Sequence, residues 1–527
     1  MRLILTLRSD FFSPCLQYAR LAELLNAGLY ALSPARIADL YQMIVRPAAL
    51  AGLRFDDEAL VFRILEDTGT APGALALLAS ALAELYEGRT PDGTLTHAAY
   101  DAFGGVKGVI SKRATETYDR LDDAAKGALG DVFKELVEVE PKRGIPTRKR
   151  APQDDFQGMP AALRLIEAFT HRRLLVRSEG SVEVAHEALL THWEVLSRWI
   201  DQRVDDFRLL RRVQLEAADW RSHRGYLWLH ERLLPVYSMV ERLKPKLTPT
   251  ERAFIRPESD RLLKRIRNPA TPHQERAKIG DRLAEIGDPR PGVGLKNGLP
   301  DFVWCKVPAG EITLENSNKT FRVSAFFISK YPVTYVQYRS FLEAKDGFQN
   351  KRWWQGLARR QDQPGSQYRQ LDNHPAENVS WFDAVAFCCW LSHRFGYEVR
   401  LPTEWQWQQA ATGGKEHNEY PWGKEWNGEC ANTWESGLSR TTAVGIYPAG
   451  ASPVGALDMS GNVWEWCLNE YDNPSRTDPT GDATRVVRGG SWYGLRGFAR
   501  AAFRFLSNPD ARDDGQGFRV VCPSPIA

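Results

Sequence analysis

No run in the 527 residues approaches the roughly 18 uncharged apolar side chains that a membrane-crossing helix needs. The opening, MRLILTLRSDFF, meets charge too soon for a secretory leader. A cytoplasmic location and no membrane partner are therefore expected. An excess of either charge is also missing. The 69 Lys and Arg stand against 66 Asp and Glu, a net charge of +3, so nucleic acid is not an expected partner. Cysteines number seven, and none forms a CxxC pair, which removes the usual pattern for structural zinc. Buried free thiols in a reducing compartment are the expected state. No GxxxxGK[ST] occurs, and GGVKGVISK (104–112) has neither a preceding strand nor the spacing of a phosphate loop. Without backbone N–H groups followed by Lys and Ser/Thr to hold phosphates, ATP binding by this chain alone is not expected.

The composition that remains is that of folded protein, 43% hydrophobic and 26% charged. The length suggests about three or four domains. Tryptophan divides the chain, with four of 17 before residue 300 and the other 13 between Trp304 and Trp492. The first part is rich in Leu, Ala, Arg and Glu. The second is rich in Gly, Trp, Asn and Pro, in short runs between turn signals. GDPRPGVGLKNGLP (287–300) stops helices and marks a junction. RLILTL (2–7) reads as a buried strand. Helical patterns cover Tyr18–Leu25, Ala35–Val45 and Asp57–Asp67, then a stretch after Pro72. A hairpin over 172–184 followed by one helix, His186–Trp199, suggests a winged helix. PKRGIPTRKR (141–150) is a basic segment that could touch phosphate, or a solvated loop.

LILTLRSDFF, TGTAPGALALL, FGGVKGVISKRATETYDRL and VEVAHEALLTHWEVLSRWI carry a resemblance to the later part of a bacterial STAND-type signalling NTPase module. It covers most of residues 1–225. The resemblance implies a terminal strand, a helical domain with Pro72-Gly73 at its family motif, and a closing winged helix. The phosphate loop and the strand of metal-binding acids that the family needs are missing. The resemblance thus implies a scaffold or interaction surface rather than a nucleotide switch.

Residues 298–522 resemble the formylglycine-generating enzyme family, whose fold is a variant of the C-type lectin fold. The motifs are NVSWFDAVAFCCWLSHRF, RLPTEWQW, ALDMSGNVWEW, RVVRGGSW and GFRVVC. Ser380 and Thr403 read as N-caps of two helices. Family enzymes use two cysteines, five residues apart, shortly after GGS. Here those positions fall on Gly494 and Ala499, which can be neither thiolates nor soft metal ligands. No oxidase activity is expected. The family can hold calcium near its GNxWEW loop, which nominates Asn462 and Glu465 as oxygen ligands and calcium as the one cofactor left open. A turn brace at Asn462 and an arginine partner for Glu465 are the alternatives. The family's other calcium site is poorly matched around Asn432.

The segment after Trp492, YGLRGFARAAFRFLSNPDARDDGQGFRVV, resembles the variable region of diversity-generating retroelement proteins, which use this lectin-like fold. Their AAC codons, altered at the first two bases, never yield Trp, Lys, Glu, Gln or Met. The positions matched to variable ones are Tyr493, Gly494, Leu495, Gly497, Phe498, Phe505, Leu506, Ser507, Ala511, Asp513, Asp514 and Gly515, and every one obeys that rule. Ala499, Arg500, Arg504, Pro509, Asp510, Arg512, Gly517 and Phe518 match fixed framework. If Tyr493, Leu495, Phe498 and Phe505 are exposed, they form a rigid apolar contact surface of the kind antibodies use.

These readings give a multidomain protein, a mainly α N-terminal half with a winged helix and an α+β, C-type lectin-like C-terminal half. The expected divisions are 1–125, a STAND remnant; 126–205, a winged helix; 206–297, a helical linker region; and 298–527, the lectin-like domain, with its variable region at about 488–521. The expected function is non-catalytic display of a diversified site. That site would bind a protein or other macromolecular ligand, and the N-terminal half would meet a signalling partner. The rivals are a fixed, catalytically dead sensor domain and an enzyme with altered chemistry.

Overall fold

The computed structural model describes residue 23 and residues 36–68, 74–178, 180–315, 317, 319–415 and 417–525. The expected strand 2–7, the helix 18–25 apart from Glu23, Pro72-Gly73 and Cys15 lie outside the described residues. The chain divides into two compact units, Met1–Ile255 and Arg256–Ala527. The segment expected as a linker region, 206–297, is split between them.

In the first unit, helices Ile37–Leu50, Glu58–Thr68, Ala74–Glu87 and Gly105–Asp119 bury Leu40, Ile44, Leu60, Ile64, Leu78 and Val106 around Tyr100. The winged helix follows. Its helices α1 (Leu129–Leu136) and α2 (Pro160–His171) present Val132, Phe133, Leu165 and Phe169 to one core. Strands β1 (Ala151–Pro152), β2 (Leu175–Ser178) and β3 (Ser181–Val184) form a sheet with β3 in the centre. The expected hairpin is present as β2 and β3. The helix expected over His186–Trp199 is two helices, Ala188–His192 and Glu194–Asp201. Trp193 breaks them with an extended ψ of 107°. Its fully buried indole packs against Tyr118, Phe133 and Phe169, so the tertiary site of one ring overrides the helical pattern. In the basic segment, Pro146–Arg148 is a strand paired with Val137–Val139, while Lys149 meets Glu135 and Arg150 meets Glu183.

The second unit opens with helices α3 (Glu258–Ile266) and α4 (His273–Ile286). Leu262, Ile266, Ile279 and Leu283 pack on Ala443, Ile446 and Tyr447. The junction 287–300 is therefore inside this unit, not at its edge. Helices α5 (Trp381–Phe395) and α6 (Glu404–Thr412) start at the expected caps. Ser380 accepts from Asp383 N–H at 3.2 Å and Thr403 from Gln406 N–H at 3.3 Å. The strands Trp304–Val307, Phe326–Ser329 and Val521–Cys522 join the two ends of the lectin-like part in one sheet. A second sheet runs in the order β6 (Arg504–Ser507), β5 (Arg485–Arg488), β4 (Trp464–Glu470), β7 (Gln516–Gly517). The apolar core between these elements is built on Trp381, Trp390, Trp466, Phe387 and Phe518.

Candidate ligand-binding face

Strand β5 is followed by Gly489 and Gly490, with φ of 93° and 75°. Gly489 lies against Trp407, and Gly490 lies against the backbone of Phe498 and Ala499, closer than a side chain would allow without displacement. The turn delivers the chain to the surface. A short 3-10 turn, Arg496–Ala499, then leads to edge strand β6.

Along this stretch the large side chains at the positions matched to variable ones are exposed. Tyr493 is 40% exposed, Leu495 55%, Phe498 40%, Phe505 50% and Leu506 42%. Gly497 is exposed, and Ser507, Ala511, Asp513 and Asp514 are partly so, whereas Gly494 and Gly515 are buried. The intervening residues hold the scaffold. Ala499, Arg504, Pro509, Gly517 and Phe518 are buried. Arg504 makes a bidentate contact with Glu404 at the start of α6, both distances 2.9 Å. Arg512 grips Asp383 in the first turn of α5 at 2.7 and 3.0 Å. Arg500 meets Glu315 at 3.0 Å, and Asp510 meets Arg359. The exposed rings rest on less exposed ones: Phe505 stacks on buried Trp464 at 5.7 Å, and Phe498 packs on half-buried Phe503 at 5.1 Å.

Sequence reasoning missed Trp434. It is 60% exposed, its backbone N–H donates to the Gly494 carbonyl at 3.0 Å, and neighbouring Glu435 accepts from the Arg496 backbone N–H at 2.9 Å. It thus extends the apolar face. Only an unexplained Trp in a loop could have pointed to it.

Beneath the other end lies Glu377, 2% exposed. It accepts from Arg369 N–H at 2.7 Å and from the Thr441 hydroxyl at 3.2 Å. Burial pushes its carboxyl up to about 7, the nearby Asp514 charge adding to the shift. A folded-state value above the ordinary 4.5 means the folded chain holds this proton more tightly than the unfolded one. Its contribution to stability is thus present in acid and is lost as pH rises from about 4.5 through 7. Glu377→Gln should therefore be more stable than the parent at pH 8 by about 1–3 kcal/mol, with little difference at pH 5. Urea melts at the two pH values read this directly, and equal differences at both would refute it.

Asn462 and Glu465 do not fit a cation. Asn462, at φ 68°, braces a turn: its oxygen accepts from Thr442 N–H at 2.9 Å and its amide donates to the Thr442 carbonyl at 3.1 Å. Both oxygens of Glu465 face Arg519, at 2.6 and 2.7 Å, and one also accepts from the Trp407 indole at 2.6 Å. A metal ion there would share its carboxylate with a fully buried guanidinium. Among the described residues no group of three or more His, Cys, Asp or Glu is set to hold a metal.

Gly494 and Ala499, the positions that the resemblance matched to cysteines, are both buried. Among the described residues Cys305, Cys388, Cys430, Cys467 and Cys522 are buried and unbridged, and Cys389 is exposed. Burial pushes every one of these thiols up, Cys522 to about 12. None is poised as a thiolate.

Comparison with known proteins agrees with this architecture. Residues 296–523 match the family model of the sulfatase-modifying factor enzyme 1-like domain, and residues 1–225 match that of Novel STAND NTPase 1. The inactive C-alpha-formylglycine-generating enzyme 2 of Bos taurus is 30% identical over 245 residues, 38% of this chain and 77% of that protein. The chain belongs to the formylglycine-generating enzyme family. The formylglycine-generating enzyme of Thermomonospora curvata is 29% identical over 265 residues, 39% of this chain and 85% of that protein. The serine/threonine-protein kinase Pkn1 of Chlamydia trachomatis is 32% identical over 246 residues, 44% of this chain. The chain spans only 37% of that kinase. Among solved structures, Treponema denticola variable protein 1 aligns over 44% of this chain and 98% of its own, with 22% identity and a TM-score of 0.35. No described helix is long and apolar enough to cross a membrane.

Proposed function

We propose that the second unit is a non-catalytic ligand-binding module. Its exposed face, centred on Tyr493, Leu495, Phe498, Phe505 and Leu506, is a diversified site of the retroelement type. The observation that carries this reading is the division of residues 493–518. The large side chains at positions matched to variable ones are exposed, while most framework residues between them are buried or held by ion pairs. An apolar face on a rigid scaffold supplies contact area at low entropic cost. The partner is a protein or another macromolecule. The STAND-like first unit relays or tethers, without nucleotide of its own.

The deciding test is the neighbouring DNA. A near-copy of the segment coding for residues 488–521, differing mainly at adenines and beside a reverse-transcriptase gene, is expected. A neighbourhood lacking both would leave the fixed-sensor reading in its place.

Two further results are expected. Changing Tyr493, Leu495, Phe498 and Phe505 together to Ser should leave a soluble, cooperatively melting protein. Each side chain is already about half in water, so the total loss is about 2–4 kcal/mol. Fully buried, the four would cost about 2–5 kcal/mol each, and an aggregated variant would show that they are core. Incubation with copper and a Cys-containing sulfatase peptide should give no formylglycine by mass spectrometry, since Gly494 and Ala499 offer no thiolate. Appearance of the aldehyde would restore the enzyme reading.

A further inference from the structure

Three positions on the face touch one another. The Tyr493 hydroxyl donates to Asp513 Oδ1 at 2.8 Å, and the same oxygen accepts from Gly515 N–H at 2.9 Å. The Tyr493 ring lies where a side chain on residue 515 would go. A Cβ built there falls inside van der Waals contact of ring atom Cε1, 3.1 Å from Cδ1 and 3.2 Å from Ser491 Cβ. The Gly515 backbone is not in the left-handed region, so space alone bars a side chain. Trp492 closes the other side, edge-on to Tyr493 at 5.1 Å, with its indole N–H directed at the Asp514 carbonyl at 3.4 Å. Gly515 also accepts Trp464 N–H at 2.7 Å through its carbonyl, which ties the corner to strand β4.

We infer that Tyr493, Asp513 and Gly515 are one interlocked anchor, in which Asp513 and Gly515 position the Tyr493 ring and so determine what this corner of the face can bind. The inference takes the binding reading of this face as its premise. The hydroxyl is spent on Asp513, so a partner meets a fixed aromatic ring rather than a free hydroxyl. An apolar or methyl-bearing group that packs flat on the ring suits it, and little rotamer freedom is left to lose. Residues 493 and 515 are then chosen together. A side chain at 515 requires a small residue at 493, and a large ring at 493 requires Gly at 515. Burial and the Asp513 hydrogen bond also push the Tyr493 hydroxyl above its ordinary titration range.

A double-mutant cycle on the full chain tests this without any ligand. Melting is followed by tryptophan fluorescence, which reports chiefly on residues 304–492, where 13 of the 17 tryptophans lie. Gly515→Ala should lower the melting temperature by about 3–8 °C when Tyr493 is present and by less than about 1 °C when Tyr493 is Ala. Equal losses in both backgrounds would overturn the interlock. Tyr493→Ser serves in the same cycle if Tyr493→Ala does not fold. A second readout is independent of stability. In ring-labelled NMR the Tyr493 resonance should titrate above the ordinary tyrosine range, and Asp513→Asn should bring it down. An unchanged titration would overturn the positioning role of Asp513. If the cycle shows no coupling while the neighbouring DNA does hold a template repeat, the interlock fails and the diversified-site reading stands. Coupling without a repeat has the opposite meaning.

Discussion

Replacing Glu465 by Ala should remove about 3–5 kcal/mol from the second unit, much of a domain's usual roughly 5–15 kcal/mol. Glu465 and Arg519 are both fully buried. Arg519 reaches both carboxylate oxygens and also donates to the carbonyls of Ser329 at 3.1 Å and Leu457 at 2.8 Å. Ser329 ends a strand of the sheet that joins the two ends of the lectin-like part, and Glu465 is on β4 of the other sheet. The pair thus links the two sheets. Truncating the acid leaves a buried guanidinium without its hydrogen-bonded carboxylate and leaves the Trp407 N–H without its acceptor. Removing both charges together, Glu465→Met with Arg519→Met, should cost less than the two single changes added, because neither charge is then stranded. Denaturant titration of the four proteins reads the cycle. A Glu465→Ala variant within about 1 kcal/mol of the parent would sink the argument. Chelator should leave the melting of the parent unchanged, since the carboxylate is already engaged by protein.

Position by position, the sequence was most informative where local chemistry decides the outcome. Ser380 and Thr403 could be read as caps because an N-cap is satisfied within three residues. The exposure of Tyr493, Leu495, Phe498 and Phe505 was left open, suggested by the resemblance of a segment that lacks either simple period, and these four side chains are 40–55% exposed. What the sequence left open or misread was non-local. Trp193 sits in a run with unbroken helical spacing, and only the aromatic site formed by Tyr118, Phe133 and Phe169 turns the chain there. Glu465 could have been a metal ligand or an arginine partner, and its partner Arg519 is 54 residues away. The Pro and Gly of 287–300 indicate irregular backbone, but irregular is not the same as exposed. Within that run Asp288 and Arg290 are paired and largely buried, and Asn373 donates to Asp288 at 2.8 Å.

That misreading has the second large consequence. A fragment starting at residue 298 should not melt cooperatively, whereas one starting at residue 256 should. Arg276 on α4 is 1% exposed and donates to the carbonyls of Ile266, Asn268, Thr271 and Ile446 at 2.6–2.9 Å. Asp281 on the same helix holds Arg440 at 2.7 Å and the fully buried His374 at 3.2 Å. The Tyr447 hydroxyl meets His273 at 2.9 Å. Cutting at 298 exposes Ala443, Ile446 and Tyr447 to water and removes Asp281, the acid that His374 and Arg440 share. The lost apolar burial and the stranded polar groups together cost on the order of 5–10 kcal/mol, comparable to the whole stability of a domain. Circular dichroism melts of the two fragments decide it, and matching transitions would show that α3 and α4 are dispensable. A milder test stays within the full chain. A Cβ at Gly280 would fall 2.7 Å from the Cβ of Ala443, so Gly280→Leu must push α4 off its seat. The same loss in that variant, without any cut, would place the effect in the docked helix rather than in a frayed end.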